Sequence, residues 1–86
     1  MKLCFTPSAW EDYLWFQGHD RNLLNRINLL IKDVLRTPFQ GIGKPEPLKA
    51  NLAGYWSRRI SDEHRLVYTA TATEVTIVAC RYHYRP

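Results

Sequence analysis

The sequence predicts an α+β fold with the element order β-α-α-loop-β-β-β, in which a helical hairpin packs on one face of a twisted antiparallel sheet. The first half contains two stretches with apolar residues at helical spacing, whereas the last third contains three stretches rich in β-branched and aromatic residues. The chain has 86 residues. This length suits a single domain, 1–86, because domains rarely have fewer than about 50 residues.

A short strand and a helix N-terminus open the chain. Lys2–Phe5 is predicted to be a strand. Thr6 can cap the following helix with Pro7 in its first turn, where a missing N–H costs nothing. Alternatively, Ser8 is the capping residue and Glu11 completes a capping box.

Two amphipathic helices follow. The first has bulky apolar residues to about Gln17 and is expected to end at Gly18. The second is capped by Asp20 and stopped at Thr37-Pro38, because the residue before a proline avoids helical geometry. Its apolar residues recur every three or four positions, at Leu23, Leu24, Ile27, Leu30, Ile31, Val34 and Leu35.

The rest of the chain is predicted to be a loop followed by three strands. Gln40–Leu48 holds two glycines and two prolines, so it is a loop and not a central strand or a helix. A three-residue turn between the first two strands places Arg59 directly opposite Arg65 on one face of the sheet. A four-residue turn would shift the register and separate them. The strands are Tyr55–Ile60, His64–Ala70 and Val75–Tyr84.

The composition excludes several classes of protein. No apolar run approaches the ~18 residues that span a membrane, and the N-terminus lacks the pattern of a signal peptide. We therefore expect a cytoplasmic protein without membrane contact. Cys4 and Cys80 lie far apart and outside any CxxC pattern, so we expect no disulfide, no metal site and no cofactor.

The positive charge is concentrated in the second half of the chain. The formal net charge is +4. Residues 1–43 carry five basic and four acidic side chains, whereas residues 44–86 carry seven and four. A basic half-domain favours a polyanion such as RNA or DNA, or an acidic protein partner. The alternative is a basic surface that only water covers.

Four arginines lie on the predicted strands. Like charges opposed across a sheet repel one another, so their concentration suggests that an anion lies between them. A guanidinium offers a planar pair of donors that matches a phosphate. Individually, each can instead lie over an aromatic ring or pair with Asp62 or Glu63. The four are Arg58, Arg59, Arg65 and Arg81.

Two further side chains suit acid–base chemistry. Glu46 lies between Pro45 and Pro47, so its carboxylate is presented from a stiff segment, as suits a general base. The alternative is a solvent-facing loop carboxylate. His83 lies near the end of the last predicted strand and can carry a proton near neutral pH. The alternative there is a structural histidine among aromatic residues.

A carboxylate, a guanidinium and an imidazole together suit metal-free cleavage of RNA. The base takes the proton of a ribose 2′-hydroxyl, whose oxygen attacks the next phosphate. The arginine stabilises the charge on the phosphoryl oxygens, and the acid protonates the departing 5′-oxygen. DNA lacks the 2′-hydroxyl and would not be cut. Tyr55 and Tyr84 are candidates for stacking on bases.

Four short segments also resemble a known family. They are KPEPLK (44–49), YWSRRI (55–60), DEHRLVY (62–68) and RYHY (81–84). In this order and spacing they resemble the Txe/YoeB family of ribosome-dependent mRNA interferase toxins, which belongs to type II toxin–antitoxin systems and to the RelE-like superfamily. The resemblance runs from Met1 to Tyr84 and implies a RelE-like, microbial-ribonuclease-like fold.

The resemblance implies a role for individual residues. Glu46 matches the general base of the family, and His83 matches its general acid. Arg65 matches the residue that stabilises the phosphate in the transition state. Positions that hold or orient the mRNA are matched by Lys49, Arg59 and Tyr84.

The resemblance also implies the substrate and the partners. We expect cleavage of mRNA in the A site of the 70S ribosome, inhibition of translation, and neutralisation by a cognate antitoxin of the YefM/Phd type. A homodimer is expected, with operator DNA contacted only through the antitoxin complex. Two other interpretations stay open: a non-catalytic module that binds the ribosome or RNA, and a purely regulatory role in a DNA-bound repressor complex.

Overall fold

The computed structural model describes residues 1–83. The elements in this range are β1 (Lys2–Phe5), α1 (Pro7–His19), α2 (Arg21–Arg36), β2 (Glu46–Pro47), a short 3-10 helix (Ala50–Leu52), β3 (Trp56–Arg59), β4 (Arg65–Ala70) and β5 (Glu74–Ala79). The strand order in the sheet is β1-β5-β4-β3-β2. No helix in these 83 residues is long and apolar enough to cross a membrane.

The sheet is mixed rather than wholly antiparallel. β2 to β5 pair antiparallel with their neighbours, but β1 runs parallel to β5, with Lys2 aligned with Glu74 and Phe5 with Ile77. The predicted α+β class is confirmed, and the prediction of an antiparallel sheet is wrong for β1. Side-chain pattern identifies a segment as a strand without specifying the direction of its neighbour.

Two segments differ from the predicted strand boundaries. Glu46–Pro47, predicted within a loop, pairs with Trp56 and Ser57 at the edge of the sheet, where a proline that lacks an N–H is tolerated. β5 ends at Ala79 and does not continue to position 84. Tyr82 has a φ of 62°, and this left-handed conformation is incompatible with a strand.

The start of α1 follows the first of the two predicted alternatives. Thr6 Oγ1 accepts a hydrogen bond from the Ala9 N–H at 3.2 Å, and Pro7 is the first helical residue. Ser8 lies inside the helix. The Thr6 cap therefore satisfies one of the amide groups that a helix N-terminus leaves without a partner.

Asp20 links the two helices. Its main-chain N–H donates to the Phe16 carbonyl at 2.9 Å, and its carboxylate accepts from the Leu23 N–H at 3.1 Å. The predicted cap of α2 is confirmed. Because the same residue also closes the last turn of α1, that helix extends to His19 instead of ending at Gly18.

The core lies between the helices and one face of the sheet. Burial of each large aliphatic side chain contributes about 1.5–3 kcal/mol, so the buried apolar face of α2 stabilises the fold substantially. The buried residues that form this core include Phe16, Leu24, Ile27, Leu30, Ile31, Val34, Leu66, Tyr68, Val75 and Ile77.

Arg58 is fully buried beside this core. Its Nε donates to the Tyr68 hydroxyl at 3.2 Å, and its Nη1 donates to the Asp33 carboxylate at 2.5 Å. The predicted place of Arg58 among arginines around an anion is wrong, because its donors are used inside the protein. Three more bonds fasten the loop after α2 to the sheet, at the carbonyls of Thr37 (2.6 Å), Gln40 (2.7 Å) and Ile42 (3.1 Å).

Replacement of this buried guanidinium is expected to destabilise the fold. Arg58→Met removes the buried donor that the Asp33 carboxylate, the Tyr68 hydroxyl and three loop carbonyls share, and we expect the free energy of unfolding to fall by about 3 kcal/mol or more. Chemical denaturation measures this loss. Arg59→Met is the matched control, since Arg59 is the exposed neighbour on the same strand, and an equal loss in both variants would contradict the assignment.

The ion pairs of Asp33 also predict a pH dependence. The Arg36 guanidinium, then that of Arg58 and the Ile42 N–H, lower the pKa of Asp33 from 3.8 to about 2. Because the pKa is lower in the folded state, this stabilisation is complete above 3.8 and is lost as the pH falls through about 2. An NMR titration of the Asp33 carboxyl should show Arg36→Ala moving the midpoint upward, whereas Arg21→Ala, in the first turn of α2, leaves it unchanged. A midpoint that Arg36→Ala does not move would contradict the assigned cause.

Candidate active site

Strand alternation places two adjacent arginines on opposite faces of the sheet. Side chains at successive strand positions point to opposite sides, so Arg58 faces the core while Ser57 and Arg59 face away from it. Glu46 lies opposite Ser57 in the β2–β3 pairing. Arg65 lies opposite Arg59 in the β3–β4 pairing, which confirms the register that the three-residue turn predicted. The four side chains Glu46, Ser57, Arg59 and Arg65 therefore share one face.

A cavity of about 180 Å³ lies on this face. It brings together Glu46, Arg65 and His83, which come from three separate stretches of the chain. The sequence had identified these three residues and Arg59 as candidates. Among residues 1–83, the side chains that line it are Lys44, Glu46, Ser57, Arg59, Arg65 and His83.

The loop before β2 brings the carboxylate to the cavity. Gly43 has a φ of 80°, and a Cβ at this position would lie 2.6 Å from the Leu30 side chain, so any other residue would be strained and would displace that side chain. Its carbonyl accepts from the Arg59 N–H at 2.7 Å. Lys44 follows with a φ of 52°, which costs energy for a residue with a Cβ. The loop thus turns sharply beside β3 and leads into Glu46.

The turn between β3 and β4 anchors the guanidinium of Arg65. Arg65 Nη1 donates to the main-chain carbonyls of Ser61, His64 (3.0 Å) and Asp62 (3.3 Å). The turn itself is held by Ser61 Oγ, which accepts from the N–H groups of Glu63 and His64 at 3.3 and 3.1 Å. Anchoring through one nitrogen fixes this guanidinium opposite Arg59 before any ligand binds.

The imidazole of His83 reaches the same turn. Its Nε2 lies 2.8 Å from the carbonyl oxygen of Asp62. A carbonyl only accepts, so Nε2 carries a hydrogen and donates it. Arg65 donates to the same oxygen, and the two side chains therefore meet at one main-chain atom.

The cavity has a strongly positive electrostatic character. Within the described part of the chain, its lining holds three side chains with a permanent positive charge, Lys44, Arg59 and Arg65, and one carboxylate, that of Glu46. Arg59 and Arg65 are directly opposed across the strands, an arrangement that destabilises the sheet unless an anion compensates the charge. The cavity is suited to a phosphate with a proton acceptor and an imidazole beside it.

The other residues that the sequence singled out lie elsewhere or are not described. The Arg81 guanidinium lies 3.7 Å from the centre of the Trp15 ring and donates to the Tyr82 hydroxyl at 2.9 Å, so its assignment to the arginine group around one anion is wrong. Lys49 precedes the short 3-10 helix and is not among the cavity residues. Tyr84 lies outside the described residues.

Lys44 and Ser57 line the cavity although they are not among the residues that the sequence predicts for the site. The place of Ser57 can be predicted from the sequence, because it lies two positions before Arg59 on the same strand and therefore on the same face. The place of Lys44 cannot be predicted in this way, since it depends on the left-handed backbone of the loop. Over residues 1–83, no three His, Cys, Asp or Glu side chains lie close enough together to hold a metal ion.

Comparison with known proteins identifies the family of this chain. Residues 5–84 match the model of a family described as YoeB-like toxins of bacterial type II toxin–antitoxin systems. The chain is 65% identical to Toxin YoeB of Synechocystis sp. over 85 residues, which cover 99% of each chain. A YoeB/ParE toxin from Agrobacterium tumefaciens superposes with a TM-score of 0.94 at 50% identity, with 98% of this chain and 100% of that one covered.

Two structures from Staphylococcus aureus are also similar. A YoeB dimer has a TM-score of 0.91 at 49% identity, and YoeB in a heterotetrameric YoeB–YefM toxin–antitoxin complex has a TM-score of 0.89 at 49% identity. In both comparisons the match covers 98% of this chain and 98% of the other. The resemblance inferred from the four sequence segments is confirmed, and the chain belongs to the YoeB-like toxins of bacterial type II toxin–antitoxin systems.

Proposed function

We propose that this toxin is an endoribonuclease that cleaves mRNA by attack of a ribose 2′-hydroxyl on the adjacent phosphate. The observation that carries this proposal is the single cavity in which Glu46, Arg65 and His83 meet. Their three functional groups are those that the reaction needs: a base, a phosphate clamp and an acid.

Glu46 acts as the general base. Its carboxylate accepts the proton of the 2′-hydroxyl while the oxygen forms a bond to phosphorus. The bond between phosphorus and the 5′-oxygen breaks, which leaves a 2′,3′-cyclic phosphate on one fragment and a 5′-hydroxyl on the other. Support comes from the β2–β3 pairing, which fixes Glu46 opposite Ser57 at the cavity wall, since a base must be held within hydrogen-bond reach of its proton.

Arg65 stabilises the negative charge that develops on the phosphoryl oxygens. Anchored by the turn carbonyls, its guanidinium is already oriented before substrate binds, and preorganised donors are the efficient kind. Arg59 and Lys44 add positive charge on the same face. Lys49 and Tyr84 are proposed to hold or orient the mRNA.

His83 donates the proton that the departing 5′-oxygen needs. The imidazole is held by the Asp62 carbonyl, next to the guanidinium that clamps the phosphate. A phosphate anion in the cavity favours the positively charged imidazolium, which is the form that donates. Acid, base and clamp are all protein side chains, so this scheme calls for no metal ion.

The substrate is proposed to be mRNA in the A site of the 70S ribosome, whose cleavage inhibits translation. Few of the described side chains line the cavity, and its volume of about 180 Å³ accommodates little more than one ribose–phosphate linkage. A small protein with so limited a contact gains most from a partner that holds the RNA in a reactive geometry. The ribosome supplies that positioning for a translated message.

The partners are proposed from the relatives. Because YoeB of Staphylococcus aureus forms a dimer and a heterotetramer with YefM, we propose that this chain forms a homodimer and is neutralised by a cognate YefM/Phd-type antitoxin. Contact with operator DNA is assigned to the antitoxin in that complex. The same cavity suits a second function, a non-catalytic ribosome- or RNA-binding module, because its three cations bind phosphate without any chemistry.

Glu46→Gln separates catalysis from binding. The amide keeps the shape of the side chain but cannot take a proton, so we expect cleavage of ribosome-bound mRNA to slow by about 100-fold or more while binding persists. Primer extension on a translated message measures the new 5′ ends. Glu11→Gln is the control, since Glu11 is exposed on α1 and not among the cavity residues. Full cleavage by Glu46→Gln would eliminate the assigned base, and translation arrest without new ends in the wild type would favour the binding module.

The loss of cleavage rate in His83→Ala is expected to depend on the leaving group of the substrate. A message with a sulfur in place of the 5′-oxygen at the cleaved linkage releases a thiolate, which leaves without a proton. We expect this substrate to restore most of the roughly 100-fold or greater loss of rate in His83→Ala, but not the loss in Glu46→Gln. Single-turnover cleavage rates measure the effect. Equal rescue of both variants would contradict the assignment of His83 as the acid.

A further inference from the structure

His64 is a buried histidine that does not line the cavity. It lies between the β3–β4 turn and β4, and only 5% of its surface is exposed. Its ring packs edge-on against Phe16, with the ring centres 5.0 Å apart. Such a contact alone would make it a part of the core, yet its nitrogens have a more specific arrangement.

The ring of His64 accepts a hydrogen bond from the main chain of Tyr82. The Tyr82 amide nitrogen lies 2.7 Å from His64 Nδ1. An amide N–H only donates, so Nδ1 carries no hydrogen, and the neutral ring has its hydrogen on Nε2. Nε2 lies 3.7 Å from the carboxylate of Glu63, which favours this tautomer.

This is one of two hydrogen bonds that hold the main chain of Tyr82. The carbonyl of Tyr82 accepts from the Arg65 N–H at 3.0 Å, so the residue is held on both sides by adjacent residues, His64 and Arg65. The two hydrogen bonds maintain a φ of 62° at Tyr82, a conformation that a tyrosine adopts only when its surroundings impose it. The next residue is His83, whose imidazole reaches Asp62 at 2.8 Å.

We propose that His64 is a positioning residue for His83. Its unprotonated Nδ1 fixes the left-handed turn at Tyr82, and that turn directs the imidazole of His83 into the cavity beside Arg65. The catalytic part of this inference rests on the proposed function, since His83 is the proposed acid. The structural part does not, because it concerns the hydrogen bond and the backbone of Tyr82.

Two substitutions of similar size separate positioning from core filling. In His64→Asn the amide oxygen occupies the region of Nδ1 and can accept from Tyr82. His64→Leu fills the space without an acceptor. We expect the Tyr82 amide to stay protected from hydrogen exchange in the wild type and His64→Asn, and to exchange about tenfold faster or more in His64→Leu. Equal protection in all three would overturn the proposal.

Cleavage of ribosome-bound mRNA tests the consequence for His83. We expect His64→Leu to lower kcat by about tenfold or more with little change in KM, because the acid is misplaced but the cations of the cavity are intact. His64→Asn should recover most of that rate. An unchanged kcat in His64→Leu, or a failure of His64→Asn to recover any of the loss, would contradict the inference.

A measurement on the wild type covers the case in which His64→Leu does not fold. The ¹⁵N spectrum of the His64 ring should show an unprotonated Nδ1 and a scalar coupling across the bond to the Tyr82 amide. A hydrogen on Nδ1, or no coupling, would overturn the proposal. If the wild type itself does not cleave mRNA, the proposed function fails, whereas the amide exchange and ring spectra still decide the role of His64 in positioning Tyr82 and His83.

Discussion

The alternation of side chains along β3 separates a buried arginine from an arginine that lines the cavity. Arg58 turns inward, where it meets Asp33, Tyr68 and the carbonyls of the loop that follows α2. Arg59 turns outward to the cavity. Because the inward residue holds the loop that continues into Lys44 and Glu46, the site depends on a buried ion pair on the opposite side of the sheet. The arginine that stabilises the fold and the arginine that lines the cavity therefore lie next to each other on one short strand.

A second constraint acts through the turn between β3 and β4. Its main-chain carbonyls hold the guanidinium of Arg65 and the imidazole of His83, and the residue that ends it, His64, holds Tyr82. Two proposed functional groups are thus placed by backbone atoms of a single turn rather than by contacts with each other. A rigid element of this kind supports a small site on a protein with a limited core.

Much of the fold was predictable because its signals are local. The caps at Thr6 and Asp20, the apolar face of α2 and the three-residue turn that opposes Arg59 to Arg65 all depend on neighbouring residues. The parallel pairing of β1 with β5 depends on the path of the whole chain and was missed. The sequence shows that Arg58 and Arg81 are charged residues near the predicted site, but it does not show which partners they have. The partners in the fold, the Asp33 carboxylate for Arg58 and the Trp15 ring for Arg81, determine where each guanidinium lies.

The most direct test of the proposed chemistry uses the substrate rather than the protein. The modified message carries a single 2′-deoxynucleotide at the cleaved position and therefore lacks only the attacking oxygen. It is translated in parallel with the unmodified message. The proposal predicts that cleavage at that linkage is abolished, and that the unmodified message yields fragments with a 2′,3′-cyclic phosphate and a 5′-hydroxyl. Cleavage of both messages at the same rate, or products that carry a 5′-phosphate, would contradict it.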